Sequence, residues 1–473
     1  MDNKRKLPIG IQNFEKLRKD KYLYIDKTAY IYNLIQDGAV YFLSRPRRFG
    51  KSLMLSAMKV FFEGKKELFD GLIIQELMAD EEWESYPVLY FDFNIENYAA
   101  EGSLERVLDR HLEEWEEQYE PAHIADTAAG RFEGLLKHIH AATKKRVVVL
   151  VDEYDKPLLE TADNKDLMER NKAVFKGFFS NLKSQDEHLQ FVFMTGVTRF
   201  SKVSIFSDMN HLIDISLDPR YAAVCGLTQN EIVGMFRPEI ETMAKENDEA
   251  VEECLDQLRK MYDGYHFAGD SCGVYNPFSL LNALRMRDYG LYWFSTGTPT
   301  FLVKKLRNAG IDIRKFTENA INRTGEELSD YQYDNPDPIP LLYQTGYLTI
   351  RGVSKKFRRK VYSLGYPNKE VEYGLVESLT KVYFADKNNK NNPLDVFAFV
   401  QDVEEGNVDS FMNRLVALFA SIPYPNDERP LEMNFQTAIY LVFTLLGQFI
   451  NSEVHSANGR ADAIVGTDDY VYL

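Results

Sequence analysis

Ser44-Arg45-Pro46-Arg47-Arg48-Phe49-Gly50-Lys51-Ser52 is the stretch on which the fold of this chain turns. It follows a short apolar run, Ala39-Val40-Tyr41-Phe42-Leu43, and leads into a helical pattern, Leu53-Met54-Leu55-Ser56-Ala57-Met58. A strand, a tight loop ending in Gly-Lys-Ser and a helix make a phosphate-binding loop. Backbone N–H groups at the loop and helix start point at phosphate oxygens, and the helix dipole favours their negative charge. Gly50 lets the backbone come close to phosphate. In such a loop Lys51 would reach the β- and γ-phosphates, and the Ser52 hydroxyl would take a place on Mg²⁺. One position departs from the usual pattern: Arg45 stands where the first loop glycine normally lies.

A loop of this kind needs a carboxylate for the metal and an acid to position water. Both are found after Val147-Val148-Val149-Leu150-Val151, which ends in Asp152-Glu153. An unbroken β-branched run reads as a buried parallel strand, and ligands bind at the C-terminal ends of such strands. Asp152 is the candidate metal carboxylate and Glu153 the candidate base for the attacking water. Alone, each motif also reads as a strand end solvated by acids; in this order the pair reads as a Mg-nucleotide site. A third strand, Phe191 to Val197, ends in Thr198-Arg199. In ATPases with an extra strand between the loop strand and the metal strand, this position senses the γ-phosphate. Thr198 or Arg199 is the candidate, with a polar strand terminus as the alternative. Val88–Phe93 and Ile213–Ile215 supply two more strands, so the expectation is a doubly wound α/β core.

With these residues, the chain resembles the bacterial AAA-ATPase-like proteins that carry a C-terminal PD-(D/E)XK-type nuclease domain. The marks are Leu7-Pro8-Ile9-Gly10 with Phe14, Tyr24-Ile25-Asp26-Lys27-Thr28, RPRRFGKSL (45–53), VDEYDKPL (151–158) and TGVTRFSK (195–202). They continue in YDGYHF (262–267), VYNPFSLLNAL (274–284) and YWFSTGTPTFL (292–302). The family tolerates arginine at the first loop glycine. The resemblance implies ATP binding with slow or regulated hydrolysis, as in nucleotide-gated switches, and no known substrate. Arg47 or Arg48 adds charge near the phosphates, a solvated loop arginine being the alternative for either.

At 473 residues the chain has room for about three domains. Its net charge of −16 argues against nucleic-acid binding by bulk field, which leaves local patches. Three cysteines, Cys225, Cys254 and Cys272, have no metal-like spacing and fit free thiols in a reducing cytoplasm. Met1 to Pro8 lacks a signal-peptide apolar core. The longest apolar stretch, Phe435 to Ile450, is interrupted by Gln436, Thr437, Thr444 and Gln448, so it reads as a core helix rather than a membrane span.

The expected organisation is a lead-in over residues 1–38, a P-loop core over 39–220, a helical lid over 221–290 and a winged-helix-like module over 291–385. A partial nuclease-like segment follows over 394–473. Thr228–Glu231 reads as a capping box, and Pro277 suits a first helical turn. In the winged-helix-like module a helix precedes Leu341–Ile350 and two strands follow. They place the basic run Lys355-Lys356-Phe357-Arg358-Arg359-Lys360 on a wing, which contacts DNA phosphates or is simply a solvated tip. His138 and His140, two apart on a helix, face different sides and do not share a metal. In the C-terminal segment, Asp462 matches the nuclease family's metal aspartate and Glu432 its assisting helix acid. No Glu-x-Lys strand follows before Leu473, so the expectation is a degenerate or cut-short site without nuclease activity. A DNA or protein partner through the winged-helix-like or C-terminal segment is the remaining expectation.

Overall fold

A computed structural model of the chain describes residues 5–199, 211–295, 302, 305–306, 309, 311–329, 337–356, 358–383, 395–420, 432–447, 451–457, 460–466 and 471–472, with the backbone alone for 432–438 and from 451 on. The five expected strands are present: β1 (Val40–Ser44), β2 (Val88–Asp92), β3 (Val147–Asp152), β4 (Leu189–Gly196) and β5 (Ile213–Asp214). All run parallel, in the order β2-β3-β4-β1-β5. β4 therefore lies between the strand that feeds the phosphate loop and the strand that ends in the acids. Every residue of β3 is buried, as its unbroken apolar run requires.

Alternate residues of β2 show how the sheet is covered. Phe91 packs against Trp115, Phe132 and Phe178, which lie on the helices Ser103–Tyr119, Ala128–Thr143 and Lys165–Phe179. Tyr90, its neighbour, points to the other face. There Lys59 of the helix Lys51–Phe62 lies over its ring at 5.7 Å. Helices thus cover both faces, and the core is doubly wound.

A second apolar cluster gathers Ile232, Phe236, Met243, Cys254, Leu258, Tyr262 and Leu280. It joins the helices Gln229–Glu246, Val251–Tyr262 and Pro277–Met286. The first of these opens on the capping box of Thr228 and Glu231 and kinks at Phe236, two residues before Pro238. The third carries Pro277 in its first turn under an Asn276 cap. Further along, β6 (Ile321–Thr324), β7 (Thr349–Lys356) and β8 (Arg359–Gly365) form an antiparallel sheet in the order β6-β8-β7. β6 has no counterpart in the sequence reading, and the helix Ile339–Gln344 takes the first half of the run 341–350 instead of ending before it. The last elements are the helix Glu432–Leu446 and the antiparallel strands β9 (Asn451–Ala457), β10 (Arg460–Gly466) and β11 (Val471–Tyr472). Among the described residues no helix is long and apolar enough to cross a membrane. All three cysteines are free, and Cys225 and Cys254 are buried.

Candidate functional site

β1 ends at Ser44 and the helix Lys51–Phe62 begins seven residues later, after a loop whose last residue has φ +97°. That residue is Gly50. A Cβ there would meet nothing within 4 Å, so the glycine is required by backbone conformation and not by crowding. The helix start leaves its first N–H groups without helical partners, as every helix does. Lys51 is buried, and its ammonium donates to the carbonyls of Arg45 (3.0 Å) and Pro46 (3.3 Å).

Arg45 turns away from this cradle. It is 1 % exposed, its guanidinium lies 4.1 Å from the Phe267 ring, and it donates to the carbonyls of Ser44, Ser216 and Tyr221. An arginine is compatible with the first glycine position because its side chain leaves the loop toward the core. Phe49 points the same way, packing on Tyr265 at 4.7 Å. Gly346 meets the loop from outside: it has φ +90°, and a Cβ on it would stand 2.8 Å from Pro46. The Trp293 indole N–H donates to the Arg47 carbonyl at 3.2 Å.

The acids lie at the end of β3. Asp152 is 3 % exposed and accepts from Thr195 Oγ1 (2.8 Å) and Tyr90 OH (3.2 Å), with the Ser52 hydroxyl close enough to favour its charged form. Burial, then the charge of Glu153, raises its carboxyl above the ordinary range. Glu153 follows at φ +51°, a left-handed conformation unusual outside glycine. It reaches back to the phosphate loop, with Oε1 3.2 Å from Lys51 Nζ. Asp155 is fully buried and accepts from the Val197 and Thr198 N–H groups (3.1 and 2.6 Å) and from Thr198 Oγ1 (2.7 Å). Burial and the nearby Glu153 push it up to about 6.

One cleft of about 690 Å³ joins these parts. Arg47, Arg48, Gly50, Lys51, Ser52 and Glu153 line it. Asp152 lies beneath, reached through Ser52. The far walls are Ile11, Tyr24 and Ile25 of the N-terminal segment, Val224–Leu227, Phe278 and Leu281, with Trp293 and Tyr347 at one end. Thr198 and Arg199 are not brought into it. The Thr198 hydroxyl is spent on Asp155. Arg199 forms an ion pair with Asp214 on β5, and its backbone N–H donates to Gln344 at 3.0 Å. It lines a separate small cavity with Arg45 and Asp214. Asp462 sits in β10 opposite His455, and Glu432 opens its helix; only their backbones are described. His138 and His140 indeed diverge, His138 toward the Tyr119 carbonyl and His140 toward His188. Motif residues 200–202 and 296–301 lie outside the described residues.

Three participants escaped the sequence reading. Asp155 and Lys156 stand in the same 151–158 motif as the two acids, yet nothing local says that one clamps β4 and the other lines the cleft. Trp293 stands in the 292–302 motif, yet nothing local says that it meets the phosphate loop, because its partner is 246 residues away.

A parallel sheet, a Gly-Lys-Ser loop at one strand end and acids two strands over define the class of P-loop ATPases. The comparisons narrow this. The model of the AAA-ATPase-like family, described as predicted AAA-ATPase, matches residues 8–206. The chain is also 35 % identical over 483 residues to an uncharacterized protein in the vnfD 5′ region of Azotobacter chroococcum mcd 1, a match covering all of this chain and 89 % of that relative. The chain belongs to the AAA-ATPase-like family. No solved structure matches it.

Proposed function

We propose that this chain binds ATP with Mg²⁺ in the 690 Å³ cleft and hydrolyses it, using the state of the site as a switch. The observation that carries this is the meeting of phosphate loop and acids in one cleft, Lys51 against Glu153 and Ser52 against Asp152. The donor set fits the metal. A hydroxyl and one carboxylate suit an ion that keeps waters and phosphate oxygens, and among the described residues no cluster of three or more His, Cys, Asp or Glu offers a protein cage. Ser52 and Asp152 would hold it, and it would supply charge neutralisation on the phosphates.

Lys51 exchanges Glu153 for phosphate oxygens when nucleotide enters, and Gly50 admits those oxygens to the backbone. Glu153, released, accepts a proton from the water that attacks the γ-phosphorus; the bond to the β–γ bridging oxygen breaks, and ADP and phosphate leave. Arg47 and Arg48 add positive charge at the mouth. Asp155 holds the end of β4, including Thr198, against the acid loop. The switch reading is supported by Trp293, whose indole N–H meets the Arg47 carbonyl while its backbone N–H donates to Glu370 at 2.7 Å. Glu370 belongs to the helix Lys369–Tyr383, so the loop is linked to that helix in two steps. Pro277, Phe278 and Leu281 on the cleft wall support the lid reading of 221–290. The winged-helix-like and nuclease-like assignments of the later segments stay proposals.

A second reading, a nucleotide-stabilised scaffold without turnover, is favoured by the same Lys51–Glu153 pair, which neutralises the base. Phosphate release and thermal shift separate the two. Wild type releases phosphate only with Mg²⁺, and nucleotide at a hundred times its Kd adds about 2.7 kcal/mol of stability. Glu153→Gln keeps that stabilisation and loses at least about a hundredfold in rate. Lys51→Ala loses both. Stabilisation without phosphate release in wild type selects the scaffold; neither effect in wild type ends both readings.

A further inference from the structure

The hairpin β7–β8 joins two unlike ends. Its foot stands on the nucleotide cleft: Gly346 abuts Pro46 of the phosphate loop, Tyr347 lines the cleft, and Thr349 exchanges hydrogen bonds with the His266 backbone at 2.7 and 3.1 Å. Burial falls away along the strand, from buried Thr349 and Ile350 to exposed Lys355 and Lys356. At the tip, Lys355 pairs with Lys360 and Lys356 with Arg359, and Arg358 turns between them at φ +65°. Like charges directly opposite each other destabilise a strand pair. Among the described residues these cations make one ion pair, a loose one from Arg359 to the exposed Glu326 at 3.9 Å.

Edge protection explains lysines on β7, which is an edge strand. Arg359 and Lys360 lie on β8 beyond its β6 pairing at 361–364, where its outer edge is open as well, but edge protection does not call for cations set directly opposite cations across the pair. Consecutive residues of a strand face opposite sides, so both faces of the ribbon carry cations. A flat acidic protein surface meets one face only. A nucleic-acid groove has phosphates on both walls, and the major groove of about 12 Å admits a two-stranded ribbon.

We infer that the β7–β8 hairpin grips the phosphate backbone of duplex nucleic acid with Lys355, Lys356, Arg358, Arg359 and Lys360, and that nucleotide in the cleft alters the grip through the hairpin's foot. The second half rests on the ATP binding proposed above; the first does not. The chain as a whole carries a net charge of −16, so its surface outside the ribbon repels the same polyanion and confines contact to the ribbon.

The test is fluorescence anisotropy of a short labelled DNA duplex with the full chain. Wild type binds, and its affinity falls steeply between about 50 mM and about 200 mM salt. Lys355→Glu combined with Arg359→Glu turns both repelling pairs into attracting ones, so the hairpin stays folded, yet affinity drops by about tenfold or more. A non-hydrolysable ATP analogue with Mg²⁺ shifts wild-type affinity by about fivefold or more, and Lys51→Ala abolishes the shift while still binding duplex. No binding at low salt, equal binding by the double variant, or binding of polyglutamate in place of duplex overturns the grip. If the analogue stabilises the protein against heat and leaves duplex affinity unmoved, the coupling is wrong. If it gives no thermal stabilisation, the ATP reading fails and the duplex result stands by itself.

Discussion

The two sides of the phosphate loop have opposite surroundings. On the cleft side, Arg47, Arg48 and Gly50 are exposed, and Lys51 meets Glu153 and the neighbouring carbonyls of Arg45 and Pro46. On the outer side, Arg45, Pro46 and Phe49 are buried against Phe267, Gly346 and Tyr265, residues more than two hundred positions away. One nine-residue stretch therefore holds two kinds of residue, interleaved. The cleft side is free to change partners when a ligand enters; the outer side is fixed by packing and hydrogen bonds. Substitution on the first should change chemistry, and on the second stability.

The largest effect expected on the outer side is from Arg45→Gly, which restores the usual loop glycine. It leaves the Ser216 and Tyr221 carbonyls without their donor and a cavity over Phe267, at a cost of about 4 kcal/mol in chemical denaturation. A variant as stable as wild type would mean that this arginine is not a core residue. Next is Glu370→Gln, behind Trp293. Burial pushes the Glu370 carboxyl up to about 7 from its ordinary 4.5. The folded state therefore keeps a proton that the unfolded state has lost, and stability falls as pH rises through that window. Relative to the glutamine variant, wild type should lose about 2 kcal/mol between pH 5 and pH 8; melting curves of the pair at both pH values check it, and parallel shifts would break the assignment. The smallest effect belongs to Arg199→Ala. With its guanidinium on Asp214 and not in the cleft, it should cost about 1 kcal/mol in stability and leave nucleotide affinity unchanged. A large loss of affinity would move Arg199 to the cleft side of the comparison.

Much of this was legible in the chain. The strand-loop-helix at 39–58 and the apolar run into Asp152-Glu153 are local patterns, and local patterns survive folding: both strands, the loop helix and the capping box of Thr228 and Glu231 lie where spacing predicts. What was not legible is long-range. The direction of the Arg45 side chain depends on Phe267, that of Arg199 on Asp214, and the clamp of Asp155 on β4 depends on which strands are neighbours. A hydroxyl and an arginine at a strand end look alike whether they face a ligand or a neighbouring strand. Here both were taken up by the protein itself.

The position of β4 has one more consequence. Strands in a sheet stand about 4.8 Å apart, so a strand inserted between β1 and β3 sets the loop and the acids about 10 Å from each other. That interval is a ruler cut into the backbone, indifferent to side-chain rotamers. Lys51 is long enough to bridge it alone, as it does toward Glu153. Anything else that binds both edges at once must have the length of that step, so the sheet gauges its ligand before any side chain touches it.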